Sequence, residues 1–126
     1  MNKARILIVE DEPNIVESLS FILRRAGFDV DTVTDGAEAL DRVRRQPFAA
    51  LILDIMLPGM NGFDVLRAIR AEPALAALPV VVLTAKGQAN DRRMAEAIGA
   101  SAFITKPFSN SEVVERVSSL AGGALK

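Results

Sequence analysis

The chain has 126 residues, 15 Lys or Arg against 16 Asp or Glu, a formal charge of −1, and half its residues apolar. That length suits one domain, with enough apolar surface to bury a core without disulfides. It contains no Cys, His, Trp or Tyr, which excludes thiolate and imidazole metal sites, His- or Cys-dependent catalytic triads and phosphohistidine carriage, so any bound metal is a hard cation held by oxygens.

The pattern opens with Arg5–Val9, whose apolar part Ile6–Val9 reads as a strand buried on both faces of a parallel sheet. It runs straight into Glu10, Asp11 and Glu12, which is not how a signal peptide is built. Pro13 suits a first helical turn; Val16, Leu19, Leu23 and Ala26 share a helical face, and Gly27 supplies the stop. Val30–Val33 alternates with Asp and Thr and predicts an edge strand. Asp35 and Glu38 resemble a capping box ahead of Leu40 and Val43. Ala50–Leu53 is a third strand, ended by Asp54. Phe63, Leu66 and Ile69 mark a third helix, stopped by Pro73.

Val80–Leu83 is the fourth strand, followed by Thr84. The fourth helix, Asn90–Ile98, has the weakest apolar face and is expected to be the most mobile. Ala102–Thr105 is the last strand, with Lys106 behind it. Ser109 and Glu112 form the better capping box, leading Val113, Val117, Leu120 and Ala121. One domain over 1–121 is expected, with 122–126, including Gly122-Gly123, as a tail or the start of a linker. No apolar run approaches the ~18 residues of a membrane span. The arginines come in scattered pairs (24 and 25, 44 and 45, 92 and 93), not in a stripe, which argues against direct nucleic-acid binding. A cytoplasmic protein is expected.

Five strand–helix alternations predict an α/β fold: an open, doubly wound parallel sheet with right-handed crossovers. Ligands of such sheets sit beyond the carboxyl ends of the strands. Glu10, Asp11, Glu12, Asp54, Thr84 and Lys106 all fall at that edge. An acid after a strand is often only a helix cap, and Glu12 alone is as well read that way. Asp11 and Asp54 together are not. Two carboxylates ~4 Å apart repel by roughly 4 kcal/mol at an effective dielectric near 20, and a divalent cation is the usual relief. Mg²⁺ suits oxygen ligands and phosphate-bearing substrates. Lys106 offsets the acids and can pair with a carboxylate or a phosphoryl oxygen.

Four segments carry a family resemblance: Ile6-Leu7-Ile8-Val9-Glu10-Asp11-Glu12-Pro13, then Leu53-Asp54-Ile55-Met56-Leu57-Pro58-Gly59-Met60-Asn61-Gly62, then Leu83-Thr84-Ala85-Lys86, and Lys106-Pro107-Phe108. In this order and spacing, over about Arg5 to Leu120, the chain resembles the response-regulator receiver family. The resemblance implies a flavodoxin-like sheet of order 2-1-3-4-5 and a Mg²⁺-dependent phosphorylation switch within a two-component phosphorelay. Asp54 matches the phosphorylated aspartate. Glu10 and Asp11 match the acidic pair that holds Mg²⁺ together with Asp54 and the backbone carbonyl of Met56. Thr84 matches the switch hydroxyl and Lys106 the partner lysine, with a cis bond to Pro107. Phe103 matches the switch aromatic, where Tyr is common; Phe can turn inward but lacks the hydroxyl.

The partners so implied are a sensor histidine kinase or histidine phosphotransfer protein, and a downstream effector bound through the surface of the fourth helix, fifth strand and fifth helix. Beyond its own phosphotransfer and a slow dephosphorylation, such a protein is not an enzyme. Met56 and Lys86 flank the site at positions that tune hydrolysis in similar proteins, and neither is an amide or carboxylate suited to orienting water. One departure stands out: Gly99–Phe103 lacks the acids that winged-helix DNA-binding receivers use in a salt-bridged dimer. A pseudo-receiver that binds partners without phosphorylation is an alternative. An FMN carrier is a further one, although three acids stand where its phosphate loop would be. A phosphohydrolase would want a second acid at position 56, where Met stands. The chain could act alone or within a longer regulator or hybrid kinase.

Overall fold

Five strands and five helices alternate along the chain in the computed structural model, which describes residues 3–57, 60–85 and 87–121. The order is β1 (Arg5–Val9), α1 (Pro13–Arg25), β2 (Asp29–Val33), α2 (Gly36–Arg45), β3 (Ala50–Asp54), α3 (Gly62–Ala71), β4 (Val80–Ala85), α4 (Ala89–Ile98), β5 (Ala102–Lys106) and α5 (Asn110–Leu120). All neighbouring strands pair parallel, in the order β2-β1-β3-β4-β5. The alternating strand β2 is indeed an edge. The expected 122–126 tail and Lys86 lie outside the described residues.

Strand periodicity divides the core in two. On one face Leu7, Val9, Leu51, Leu53, Val80 and Val82 pack against α2, α3 and the single buried residue of α4, Ala95. On the other, Ile6, Ile8, Ala50, Ile52, Val81 and Leu83 pack against α1 and α5. Both faces being covered explains why β1, β3 and β4 are continuously apolar. Because β1 lies between β2 and β3, the chain leaves β1 in one direction and returns past it in the other. That reversal opens a crevice at the carboxyl ends of β1 and β3.

Local chemistry fixes the ends. Pro13 is the first residue of α1, whose C-terminus closes with Gly27 at φ 103° and Phe28 N–H donating to Leu23 O at 3.0 Å. This double-bonded helix stop needs a left-handed residue, and glycine takes that conformation without a Cβ penalty. Asp35 and Ser109 each accept the backbone N–H three residues on, from Glu38 at 2.8 Å and Glu112 at 3.1 Å. Arg70 ties the far edge of the sheet, donating to Leu78 O at 2.7 Å and Gly99 O at 2.9 Å. Among the described residues no helix is long and apolar enough to cross a membrane.

Candidate functional site

The strands deliver their polar ends to one edge. Glu10 follows β1, Asp54 ends β3, Thr84 is the penultimate residue of β4, one step past Asp54's register partner Leu83, and Lys106 ends β5. Glu10 is fully buried, and Asp54 and Thr84 are each only 4% exposed. Such burial is costly for carboxylates unless they are paired or coordinate a cation.

The pairing present is partial. Lys106 Nζ lies 3.0 Å from Asp54 Oδ2 and 3.1 Å from Glu10 Oε1. Asp54 Oδ1 accepts from Met56 N–H at 2.9 Å, so the residue two beyond Asp54 fixes its carboxylate through the backbone. Glu10 Oε2 accepts from the N–H groups of Asp11 and Glu12, both at 3.0 Å. Glu10 Oε1 has only its charge contact with Lys106, without hydrogen-bond geometry, and is the one buried side-chain oxygen without a hydrogen-bond partner among the described residues. Glu10, Asp11 and Asp54 each offer a carboxylate oxygen, and the three lie within 4.8 Å of one another.

The electrostatics follow. Burial pushes the Glu10 carboxyl up to about 7, helped by Asp54 and opposed by the Glu12 N–H and Lys106. Burial draws Lys106 down, but Asp54 and then Glu10 more than offset this and leave its pKa raised. Three clustered carboxylates, one carrying an oxygen without a hydrogen-bond partner, with repulsion that Lys106 offsets only in part, are a donor set for a hard divalent cation. Mg²⁺ fits these residues.

Glu12 stands apart: it is exposed and caps α1, accepting from Asn14 N–H at 3.3 Å. The Met56 side chain is exposed, so only its backbone belongs to the site. The Lys106–Pro107 bond is cis. Phe103, half-buried on β5, is paired with Val82 and lies under the Arg92 guanidinium, 4.7 Å from its ring centre. The sequence reading missed this stacking, for which the i to i+11 spacing gives no signal. A depression of about 480 Å³ lined by Phe48, Leu75 and Leu78 lies at the opposite edge of the sheet, away from the acids.

The response regulator receiver domain family matches residues 6–118. The chain belongs to this family. The receiver is 43% identical over 115 residues to the DNA-binding response regulator MtrA of Mycolicibacterium smegmatis, covering 91% of this chain and 49% of that protein. It thus spans about half the length of the curated relatives it matches. Its fold superposes on a response-regulator structure from Chloroflexus aurantiacus with a TM-score of 0.92 and 33% identity, covering 95% of this chain and 98% of that one. A second match is the receiver domain of sensor histidine kinase PA1611 from Pseudomonas aeruginosa, described with a magnesium ion coordinated in its active site cleft. There the TM-score is 0.89, with 30% identity over 96% of this chain and 99% of that one. The chain is therefore a receiver domain of the two-component response-regulator type.

Proposed function

We propose that Asp54 of this receiver accepts a phosphoryl group from a sensor histidine kinase or a histidine phosphotransfer protein in the cytoplasm, and that the modified domain controls an effector through α4, β5 and α5. One observation carries the reading: the Asp54 side chain is buried yet has both oxygens hydrogen-bonded, to Lys106 and to the Met56 N–H, beside two further acids. A carboxylate oxygen of Asp54 attacks phosphorus in line, the bond from phosphorus to the donor nitrogen breaks, and that nitrogen leaves with the electron pair and is protonated. The product is an acyl phosphate. Lys106 neutralises charge on the phosphoryl oxygens, and the site's contribution is mainly positioning. Glu10, Asp11, Asp54 and the Met56 carbonyl would hold Mg²⁺, which when bound supplies further charge neutralisation.

Phosphorylation adds charge and acceptor oxygens at the end of β3. Thr84, buried beside Asp54's register partner, turns its hydroxyl to them, and Phe103 follows into the space released. Moving such a surface from 1:99 to 99:1 takes about 5.5 kcal/mol of differential stabilisation, within reach of a few charge-assisted hydrogen bonds. The weakly buried α4 is the element with least to lose in shifting.

The test is intact mass after acetyl phosphate treatment, with and without Mg²⁺, for wild type and Asp54→Ala. One phosphate on wild type only, and only with Mg²⁺, is the expected outcome. No gain on wild type would leave a phosphorylation-independent interaction module as the better reading.

A further inference from the structure

Helix α2 meets the segment after β3 at a residue that has no side chain. A Cβ at Gly36 would lie 2.5 Å from the Met60 carbonyl oxygen and 2.6 Å from Val65 Cγ2. Contacts that short do not occur, so a side chain here forces α2 and Met60 apart by about 0.9 Å to reach ordinary van der Waals separation. The other side of the same segment is equally tight. A Cβ at Gly62 would lie 2.4 Å from Ile55 Cα and 2.6 Å from the Asp54 carbonyl oxygen, while Gly62 N–H donates to Ile55 O at 3.2 Å. Both glycines abut backbone, which no rotamer change can move aside. Ile55, against which Gly62 packs, is followed by Met56, whose N–H holds Asp54 Oδ1.

We propose that Gly36 is a positioning residue for the phosphorylation site. By letting α2 lie directly on the Met60 carbonyl, it sets how closely Met60 and Gly62 pack against Ile55 and Asp54, and through them the grip on Mg²⁺ and the rate of phosphoryl uptake. The inference rests on the function proposed above and adds a regulator of that site from a different element. Gly36 touches neither the carboxylates nor an incoming phosphate; it acts through Met60. A merely structural role for it makes a different statement: stability falls and the site is untouched.

The experiment compares wild type, Gly36→Ala and Val43→Ala as full chains. Val43 is buried on the same helix but lines the depression at the opposite edge of the sheet, so its truncation weakens α2 packing alone. Mg²⁺ affinity by titration calorimetry, phosphate uptake from acetyl phosphate by intact mass and urea midpoints are measured on each. Gly36→Ala is expected to weaken Mg²⁺ binding and slow uptake by roughly tenfold to a hundredfold, the scale of an ångström misplacement at a site. Val43→Ala is expected to lose stability with an unchanged Mg²⁺ affinity. If Gly36→Ala does not fold, Gly36→Ala/Val65→Ala removes the side-chain half of the collision, keeps the carbonyl half, and is expected to show the same weakened Mg²⁺ binding. A folded variant with wild-type Mg²⁺ affinity and uptake overturns the inference. A wild type that takes up neither magnesium nor phosphate overturns the proposed function instead.

Discussion

Replacing Lys106 by Met removes the only cation that, among the described residues, contacts Glu10 and Asp54, and keeps much of its aliphatic length. Two buried carboxylates are then left within 4.8 Å of each other. At an effective dielectric near 20 their repulsion is about 3.5 kcal/mol, and breaking a buried pair by deleting one partner typically costs about 3–5 kcal/mol. A loss of about 3 kcal/mol is expected at pH 8 without divalent metal. With an m value near 1.5 kcal/mol/M, that lowers the urea midpoint by about 2 M.

The loss is pH-dependent, and its sign is determined. Glu10 has a folded pKa of about 7 against an ordinary 4.5, so the folded state binds the extra proton and stability rises as pH falls through that interval. Lys106, whose pKa is raised, stays charged throughout it and adds no slope of its own. Without Lys106 the Glu10 pKa climbs further, so the variant's deficit is largest at pH 8 and shrinks toward pH 5.5. Urea unfolding followed by far-ultraviolet circular dichroism in EDTA at the two pH values measures both. An equal deficit at both would mean that lost packing, not charge, explains the variant, and no deficit at pH 8 would refute the electrostatic account outright.

Magnesium is expected to stabilise the fold by about 1.4 kcal/mol at ten times its Kd, a melting rise of roughly 5 °C for a domain of this size; Asp11→Asn should reduce the rise and Asp54→Asn nearly abolish it, as differential scanning fluorimetry would show. Arg70→Ala removes the bonds to Leu78 O and Gly99 O and is expected to cost about 2–3 kcal/mol, with faster hydrogen exchange confined to 72–79 and 99–101; a loss below about 0.5 kcal/mol would mean water replaces those bonds at no cost. The exposed, apolar Met56 side chain cannot orient a water, so the phosphorylated protein should decay slowly and Met56→Asn should decay several-fold faster. Intact mass against time reads this, and a wild-type half-life of seconds counts against it.

The fold was legible because each strand that is buried on both faces is apolar without interruption, and because Asp35, Ser109, Pro13 and Gly27 punctuate the helices by local chemistry. Strand ends were less legible: β3, β4 and β5 each run one or two residues beyond their apolar runs and include Asp54, Thr84 and Lys106. Backbone pairing continues where hydropathy has already changed sign, since a ladder needs partners and not apolar side chains. Of the site, the residue types and the shared edge were readable, as was the even choice over Glu12, which the structure resolves as a cap. Contacts that depend on tertiary approach were not readable. Arg92 over Phe103, Arg70 across two turns and Gly36 against Met60 join residues whose separation in sequence has no period.

Contacts of this kind fall on two flanks of the sheet edge, with different consequences. Gly36 and Gly62 pack Met60, Ile55 and the Asp54 carbonyl tightly together and the Met56 N–H holds Asp54 Oδ1, the fixed geometry that the proposed in-line attack at Asp54 would need. On the other flank, α4 buries only Ala95 and its N-cap Gln88 makes no side-chain bond to the helix, while its last turn is followed by Gly99, whose carbonyl Arg70 holds. A helix anchored past its C-terminus, and held at its N-terminus through Gln88 to Ala85, can shift at the end nearest Thr84 with little loss of buried area. Under the proposed function, the same sheet edge thus carries a stiff half for the chemistry and a compliant half to report it. A receiver needs both, because a small charge change can shift a population only where the competing packings differ by a few kcal/mol.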